Sequence, residues 1–499
     1  MYRKSNPKQL SFEDFHLPFG GKLRSDNRWV ILSKQIAWDK VEAEYIVHFS
    51  EDGMGSPAKS SRTAFGTLIL KERLGVTDRE LAEQISENPY LQYFLGLSSY
   101  QDESPFHHSM LTHFRKRFDQ KSLEKINEAI ALKAKEMEEA EEKTTDPLKL
   151  DDDPPPKGKL IVDATCAPAD IKYPTDLNLL NEAREKTETI IDRMYSCRKN
   201  PVKKPRTYRQ KARKAYLRVS KARQPGRGKL RRGICKQLGY VKRNLQFIAD
   251  MFQAGLLTEL TSHQYRQVLI INELYRQQSE MYINKIHRIS DRIVSISQPH
   301  VRPIVRGKAG AKVEFGAKIS VSLIDGLSFV DRISWDAYNE SGDLKKQIEG
   351  YQKRFGHYPE SVHADKIYLT RDNRKYCKDH GIRLSGPALG RPRKRTDENT
   401  SELAAQKKLL RQDEIDRIAI EGKFGQGKRR FGLSRIMAKL AQTSESMIML
   451  SFMVMNLEKM LTKVLYFCAH FYFTIQNMLM KLFSQLIGQK VLLMGLRSV

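Results

Sequence analysis

The run Asp151-Asp-Asp-Pro-Pro-Pro156 constrains the folding of this chain more than any other segment. Consecutive prolines lack backbone N–H groups and disfavour helical backbone in the residue before them, so neither a helix nor a central strand can pass through. The residues just upstream, Glu136 to Glu142, are acidic. Three aspartates could form a metal site, but a flexible acidic linker over 136–158 is the better interpretation. The sequence therefore predicts a domain boundary here.

The region before the linker, 1–135, is predicted to be an all-α domain. An apolar run at helical spacing extends from Thr63 to Arg73, and Gly75 ends it. The segment Thr77-Asp-Arg-Glu80 has the form of a capping box that opens a second helix. A helix, a short glycine turn and a helix resemble a helix-turn-helix, so this region is a DNA-binding candidate. The alternative is a plain helical hairpin.

The charge balance points to a polyanionic partner. The 499 residues contain 87 Lys plus Arg against 59 Asp plus Glu, a net charge of +28. Nucleic acid is the expected partner of such an excess. The five cysteines are scattered without a CxxC pair, which favours a reducing cytoplasm over disulfides or a zinc site. The apolar stretch 447–475 is interrupted by charged residues and is interpreted as a core helix, so no membrane association is expected.

The most basic segment, 193–249, contains 20 Lys or Arg and no Asp or Glu. Such a segment cannot neutralise itself, and phosphate contacts with steep salt dependence are its natural use. We expect Arg213 and Lys214 to be among the residues that contact DNA. Amphipathic patterning returns from Leu245 to Val294. We therefore predict a basic helical insertion over about 184–298.

The residues after the linker, 159–460, are predicted to form one α/β domain with a mixed sheet and helices. The apolar run Lys159-Leu-Ile-Val-Asp163 reads as a buried strand with an aspartate at its end, although an aspartate that begins a turn is the alternative. A hairpin is expected at Asp325-Gly326. A later strand, Ser361-Val-His-Ala-Asp365, also ends in aspartate. Ligands of α/β sheets bind at the carboxyl ends of strands, so both aspartates are site candidates.

A third carboxylate, Glu421, lies on a predicted helix between two cations. Arg417 precedes it by four residues and Lys428 follows it by seven, and both offsets return to one helical face. A carboxylate can hold a divalent metal, and the cations beside it can hold a phosphate diester. The alternative is a solvated charged helix with ordinary ion pairs.

Three carboxylates suit phosphodiester cleavage. Two Mg²⁺ ions about 4 Å apart can activate a water or hydroxyl and stabilise the leaving oxygen. Asp163 could bridge both ions, with Asp365 and Glu421 each holding one, and Mn²⁺ is the expected substitute for Mg²⁺. His363 shares the strand face of Asp365 and could assist, with a structural imidazole as the alternative.

In this order, Asp163, Asp365 and Glu421 resemble the DDE triad of RNase H-like transposases. The spacing Arg417, Glu421, Lys428 resembles the R-E-K part of the signature of bacterial insertion-sequence transposases. That signature usually begins with a tyrosine, and Glu414 stands at the position here. The whole resemblance covers roughly 15–460. Four further segments resemble the subgroup with an InsH-type N-terminal domain: Tyr173 to Asn181, Arg306-Gly-Lys308, Glu314-Phe-Gly-Ala-Lys318 and Glu421 to Leu433.

The resemblance implies an RNase H-like catalytic domain and a cut-and-paste enzyme. It would bind the terminal inverted repeats of its own element, cleave the 3′ ends and use the 3′-hydroxyls to attack target DNA. Both ends must be held together, so a homodimer on double-stranded DNA is expected, in the bacterial cytoplasm and on the nucleoid when bound. The tail 461–499 is expected to be an apolar helix. The further expected DNA contacts are Arg306, Lys308, Lys318, Arg417, Lys428 and Arg429.

Two other interpretations remain at this point. An inactive or domesticated RNase H-like DNA-binding protein or nuclease would keep the fold without recognising element ends. A basic scaffold for nucleic acid without catalysis would need none of the three carboxylates.

Overall fold

The computed structural model describes residues 2, 11–49, 57–145, 158–196, 204–305, 313–391, 396 and 399–495. The predicted DNA contacts Arg306 and Lys308 lie outside these residues, as does the Asp-Pro run.

The described part of the N-terminal region is mainly helical. The turn between its third and fourth helices follows the local sequence signals: Gly75 has a left-handed φ of 67°, and the Thr77 hydroxyl accepts a hydrogen bond from the Glu80 backbone N–H. The helices are α1 Arg28–Gln35, α2 Trp38–Ile46, α3 Ser61–Leu74, α4 Asp78–Glu87, α5 Pro89–Phe94, α6 Met110–Arg117 and α7 Gln120–Thr145. Helix α7 continues past the predicted domain end at 135, because its Glu, Ala and Lys residues are strong helix formers.

A mixed sheet follows, which confirms the α/β prediction for this part of the chain. Its strands are β1 Lys159–Pro168, β2 Arg302–Val305, β3 Val313–Ile324, β4 Leu327–Ser334, β5 Ser361–Ala364 and β6 Arg383–Leu384. Strand β3 is antiparallel to β1, β2 and β4, whereas β5 is parallel to both β1 and β6. The predicted hairpin is present, with positive φ at Asp325 and Gly326, as a two-residue hairpin turn requires.

Strand β1 is longer than the sequence indicates. It does not stop at Asp163 but continues to Pro168, because β3 pairs with it from Leu160 to Pro168. Its parallel partner β5 is short, and the pairing between them ends at Val162 and Ala364. Asp163 therefore lies within β1, at the point where the parallel pair of strands ends.

Four helices lie between β1 and β2 in the described residues and pack mainly on each other. They are α8 Asp176–Ser196, α9 Arg209–Ser220, α10 Arg227–Gln253 and α11 Ser262–Asn284. One cluster of buried residues joins Leu180, Val241 and Leu274, and a second joins Ile191 and Ile248. This segment begins earlier and ends earlier than the predicted insertion, because α8 opens directly after Pro174 and Thr175.

The remaining helices cover the sheet. They are α12 Leu344–Phe355, α13 Arg371–Asp379, α14 Thr400–Arg430 and α15 Ala441–Gly495. Helix α15 runs unbroken across the predicted boundary at 460. Its first half is buried with the N-terminal helices and the sheet in one apolar core, which includes Phe65, Val162 and Met453. The N-terminal region and the α/β region therefore share a core despite the linker between them.

Buried polar contacts fix this shared core. The Asn456 carboxamide of α15 accepts a hydrogen bond from the Ser328 backbone N–H and donates to the Ser328 carbonyl, both at 2.8 Å. It also donates to the side chain of Asn127 in α7. These contacts hold α15, α7 and β4 in one register. Within the described residues, no helix is both long and apolar enough to cross a membrane.

Candidate active site

Two of the predicted carboxylates are neighbours at the end of the parallel strand pair. Val162 of β1 lies opposite Ala364 of β5. Asp163 and Asp365 are the residues that follow this pair, so their side chains lie next to each other on the same face of the sheet. Each carboxylate is oriented locally: Asp163 accepts from the Ala164 N–H at 2.8 Å, and Asp365 accepts from the Lys366 N–H at 2.7 Å. Neighbouring strands are about 4.8 Å apart, which places the two aspartates side by side.

The environment of Asp163 disfavours its negative charge. The pKa of this carboxyl is raised from 3.8 to about 6, mainly by burial and also by the nearby negative charges of Glu340 and Asp365. The hydrogen bond from Ala164 and the positive charge of Arg417 act in the opposite direction. A cation bound beside this half-buried carboxylate and its neighbour would stabilise their negative charges.

The third carboxylate is delivered by α14, which two ion pairs hold against the sheet. Asp413 of α14 is buried and accepts two hydrogen bonds from Arg383 of β6, at 2.8 and 2.9 Å. Asp416 accepts a hydrogen bond from Lys159 at the start of β1. These ion pairs tie α14 to the first residues of β1 and β6.

His363 belongs to this support rather than to the exposed site. Its ring is fully buried, with Nε2 at 3.0 Å from the Ser361 hydroxyl and Nδ1 at 3.5 Å from Asp413. Burial lowers the pKa of this imidazole. The geometry favours the structural alternative for His363, because the ring faces α14 and not the solvent beside Asp365.

Arg417 connects the second and third carboxylates. Its Nη1 lies 3.9 Å from Asp365 Oδ1 and 3.5 Å from Glu421 Oε1, and both carboxylates are about half exposed. Arg417 also contributes a favourable charge to Asp163. Arg417 thus contacts two of the three predicted carboxylates, Asp365 and Glu421, and acts on Asp163 through its charge. Among the described residues, however, no three His, Cys, Asp or Glu side chains are grouped closely enough to hold a metal ion.

The predicted DNA contacts fall into two groups. Arg213 and Lys214 of α9 and Arg429 of α14 are exposed, and Lys428 is partly buried. Lys318 differs from the expectation. Its side chain is largely buried, and Nζ lies 2.7 Å from Glu340 and donates to the Tyr338 carbonyl. This ammonium is engaged inside the protein because its position on β3 faces the turn before α12.

Glu340 is the site residue that the sequence did not reveal. It lies in a short 3-10 turn, Glu340–Gly342, just before α12. Nothing in the sequence pattern singles out this glutamate. Its charge acts on Asp163 and on the buried Tyr368, whose hydroxyl has no hydrogen-bond partner among the described residues. Only the fold brings Glu340 beside Asp163.

A mixed sheet with acidic side chains at the ends of its central parallel strands defines an α/β domain with a carboxylate site. A family model described as a transposase DDE domain matches residues 362–458, which include Asp365 and Glu421. A second family model, a transposase domain (DUF772), matches residues 18–117, the N-terminal helices. Together the two matches support a DDE transposase of an insertion sequence.

The match to a transposase DDE domain implies an RNase H-like fold for the sheet. One similar protein is the uncharacterized protein ORF8 in the nfe locus of Rhizobium meliloti, with 33% identity over 130 residues. The alignment covers 26% of this chain and 57% of that relative. No solved structure matches the chain.

Proposed function

We propose that the protein binds the terminal inverted repeats of its insertion sequence and catalyses metal-dependent DNA strand cleavage and strand transfer. The observation that carries the proposal is the placement of Asp163 and Asp365 side by side where two adjacent parallel strands end, with Arg417 linking Asp365 to Glu421. Asp163 and Asp365 are 202 positions apart in the sequence and meet at one end of the parallel strand pair. A charged surface without function does not require this convergence.

The side chains present suit a divalent cation. Asp163 and Asp365 provide adjacent oxygen donors, the kind that Mg²⁺ and Mn²⁺ prefer, and a bound cation would offset the burial that raises the pKa of Asp163. Glu421 would complete the donor set. When bound, two Mg²⁺ ions would supply an activated water or 3′-hydroxyl and stabilise the leaving oxygen.

The protein's own cations would hold the DNA. Arg417 reaches two of the carboxylates, so its guanidinium is placed to hold a phosphate oxygen beside them. Lys428 and Arg429 extend the basic surface along α14, and Arg213 and Lys214 provide phosphate contacts on α9. The paired helices α3 and α4 would read the terminal repeat. A homodimer would hold the two element ends together.

The decisive experiment is Mg²⁺-dependent cleavage of a duplex that carries the element's own terminal repeat. Wild type should cleave it, and Glu421→Gln and Asp365→Asn should bind it without cleaving. Glu402→Gln is the matched control, because Glu402 is an exposed glutamate on the same helix, far from the strand ends. Equal cleavage by Glu421→Gln and wild type would remove Glu421 from the site, and failure of wild type to bind the repeat would refute the proposal.

Glu414 favours a second candidate, an inactive or domesticated DNA-binding protein. It is an exposed carboxylate on α14, at the position where the signature has a tyrosine. A negative charge there would repel the phosphate that a tyrosine would contact. If wild type binds the repeat without cleaving it, Glu414→Tyr should restore cleavage in an otherwise intact site, whereas a domesticated protein should stay inactive.

A further inference from the structure

A second basic site lies between α14 and α15, away from the three carboxylates. The two helices enclose an open cleft of about 380 Å³. Its polar lining includes Lys423, Gln426 and Arg430 from α14 and Lys459, Thr462 and Lys463 from α15. This volume is within the range of ligand-binding pockets, and most of the charged side chains in the lining are positive.

Four of the five charged side chains in the lining of the cleft are cations. The carboxylate of Glu458 is hydrogen-bonded to Arg73 of α3, so it already shares its charge with a cation outside the cleft. The ammonium of Lys423 is partly buried, and burial together with the charge of Lys459 lowers its pKa to about 8. The positive potential of this lining would favour a bound anion.

The cleft is on the opposite side of α14 from Arg417 and Glu421. At 100° per residue, Glu421 lies about 40° around the helix from Arg417, whereas Lys423, Gln426 and Arg430 lie about 180–240° from it. Buried residues such as Ile420 and Phe424 occupy the arc between these two faces. A phosphate in the cleft is therefore not the phosphate that Arg417 would hold.

The basic lining is elongated. Lys423 and Arg430 are seven residues apart on α14, which is about 10 Å along the helix axis, and Lys459 and Lys463 are about 6 Å apart on α15. A single phosphate ion would contact only part of this row. Successive phosphates of one nucleic acid strand would contact all of it, and Gln426 and Thr462 would add neutral hydrogen bonds to phosphate oxygens.

We propose that the cleft between α14 and α15 binds the phosphate backbone of a DNA segment other than the segment held at Asp163 and Asp365. This inference rests on the proposed function, because a transposase must hold element DNA and target DNA at once. The contacts are to the backbone, so they would hold the segment without reading its sequence.

The first test compares two double variants with equal charge. Lys423→Gln/Arg430→Gln removes cations from the cleft, and Lys407→Gln/Lys408→Gln removes two exposed cations from the same helix, near its other end. The affinity of the full-length protein for a random-sequence duplex is measured as a function of salt. The slope of log K against log salt should fall by about 1.8 in the cleft variant, at about 0.9 per lost phosphate contact, and should stay at the wild-type value in the control.

The second test keeps every cation and adds a negative charge. Gln426→Glu should raise the melting temperature of the free protein, because the new carboxylate lies among cations, and should weaken duplex binding. Gln406→Glu makes the same charge change at an exposed position on α14 and should leave binding unchanged. This pair gives an answer even if the double cleft variant fails to fold.

The outcomes separate the cleft from the active site. Equal salt slopes for the two double variants, with intact binding by wild type, would overturn the cleft proposal alone. Inorganic phosphate that raises the melting temperature of wild type but not of the cleft variant, with equal DNA slopes, would identify a free-phosphate site and also overturn it. A reduced slope in a protein that never cleaves its repeat would support the cleft and refute the proposed catalysis.

Discussion

Replacing Asp163 with asparagine should abolish cleavage and at the same time stabilise the fold at neutral pH. The physical reason is the cost of holding a charged carboxylate in a half-buried position beside Glu340 and Asp365. An acid with a raised folded-state pKa stabilises the fold fully below its unfolded pKa, here 3.8, and that stability is lost as pH rises through about 6.

The magnitude follows from the size of the shift. A change from 3.8 to about 6 corresponds to ~3 kcal/mol at pH 7.5, at about 1.4 kcal/mol for each pH unit. At pH 4 the same relation leaves less than about 1 kcal/mol, because the folded-state carboxyl is protonated. Asp163→Asn removes the titration, so its gain over wild type should be about 2–3 kcal/mol larger at pH 7.5 than at pH 4.

The assay is urea unfolding of wild type and variant at pH 4, 5.5 and 7.5. Asp336→Asn is the matched control, because the Asp336 side chain is 74% exposed and its replacement should change stability by less than about 0.5 kcal/mol at each pH. Mg²⁺ at pH 7.5 should raise the stability of wild type and not of Asp163→Asn. A gain that is the same at every pH would refute the electrostatic reasoning, and so would a Mg²⁺ effect that survives the substitution.

Three further changes test the core, the sheet and the basic helices. Asn456→Leu should cost about 1–3 kcal/mol in urea unfolding, because the buried Ser328 N–H loses its acceptor; an unchanged midpoint would show that the contact is replaceable. Gly316→Ala should lower the melting temperature sharply, since its Cβ would lie 2.1 Å from a β1 carbonyl oxygen, and wild-type stability would contradict that register. Arg213→Gln/Lys214→Gln should reduce the salt slope of DNA binding by about 1.8 without changing the melting temperature; an unchanged slope would remove α9 from the DNA surface.

Local sequence signals determined most of the secondary structure. The turn at Gly75, the two-residue hairpin at Asp325 and Gly326, and the left-handed helix end at Gly356 all lie where the residue type predicts them. Each depends on a backbone conformation that glycine or aspartate adopts at low cost, so the information is contained in a few neighbouring residues. The face shared by Arg417 and Glu421 is likewise a consequence of helical periodicity.

The long-range arrangement depended on pairing that local signals do not encode. The apolar run that precedes Asp163 suggests a short strand, but β3 pairs with five further residues and extends β1 to Pro168. The sequence predicts that Lys318 is available to contact DNA, but in the structure its ammonium forms a largely buried ion pair with Glu340. In both cases the partner lies far away in sequence, so a reading of the neighbouring residues cannot include its effect.

The sequence by itself determined which chemical groups this protein can use: two strand-associated aspartates, a helical Arg-Glu-Lys face and a large excess of positive charge. Only the tertiary structure decided where they meet. Parallel pairing of β1 with β5 places Asp163 beside Asp365, and the buried Asp413–Arg383 pair holds α14 so that Arg417 reaches Asp365. The reason is physical: the residue types and their spacing are local properties, whereas the distances between charges are set by strand pairing and core packing across the whole chain.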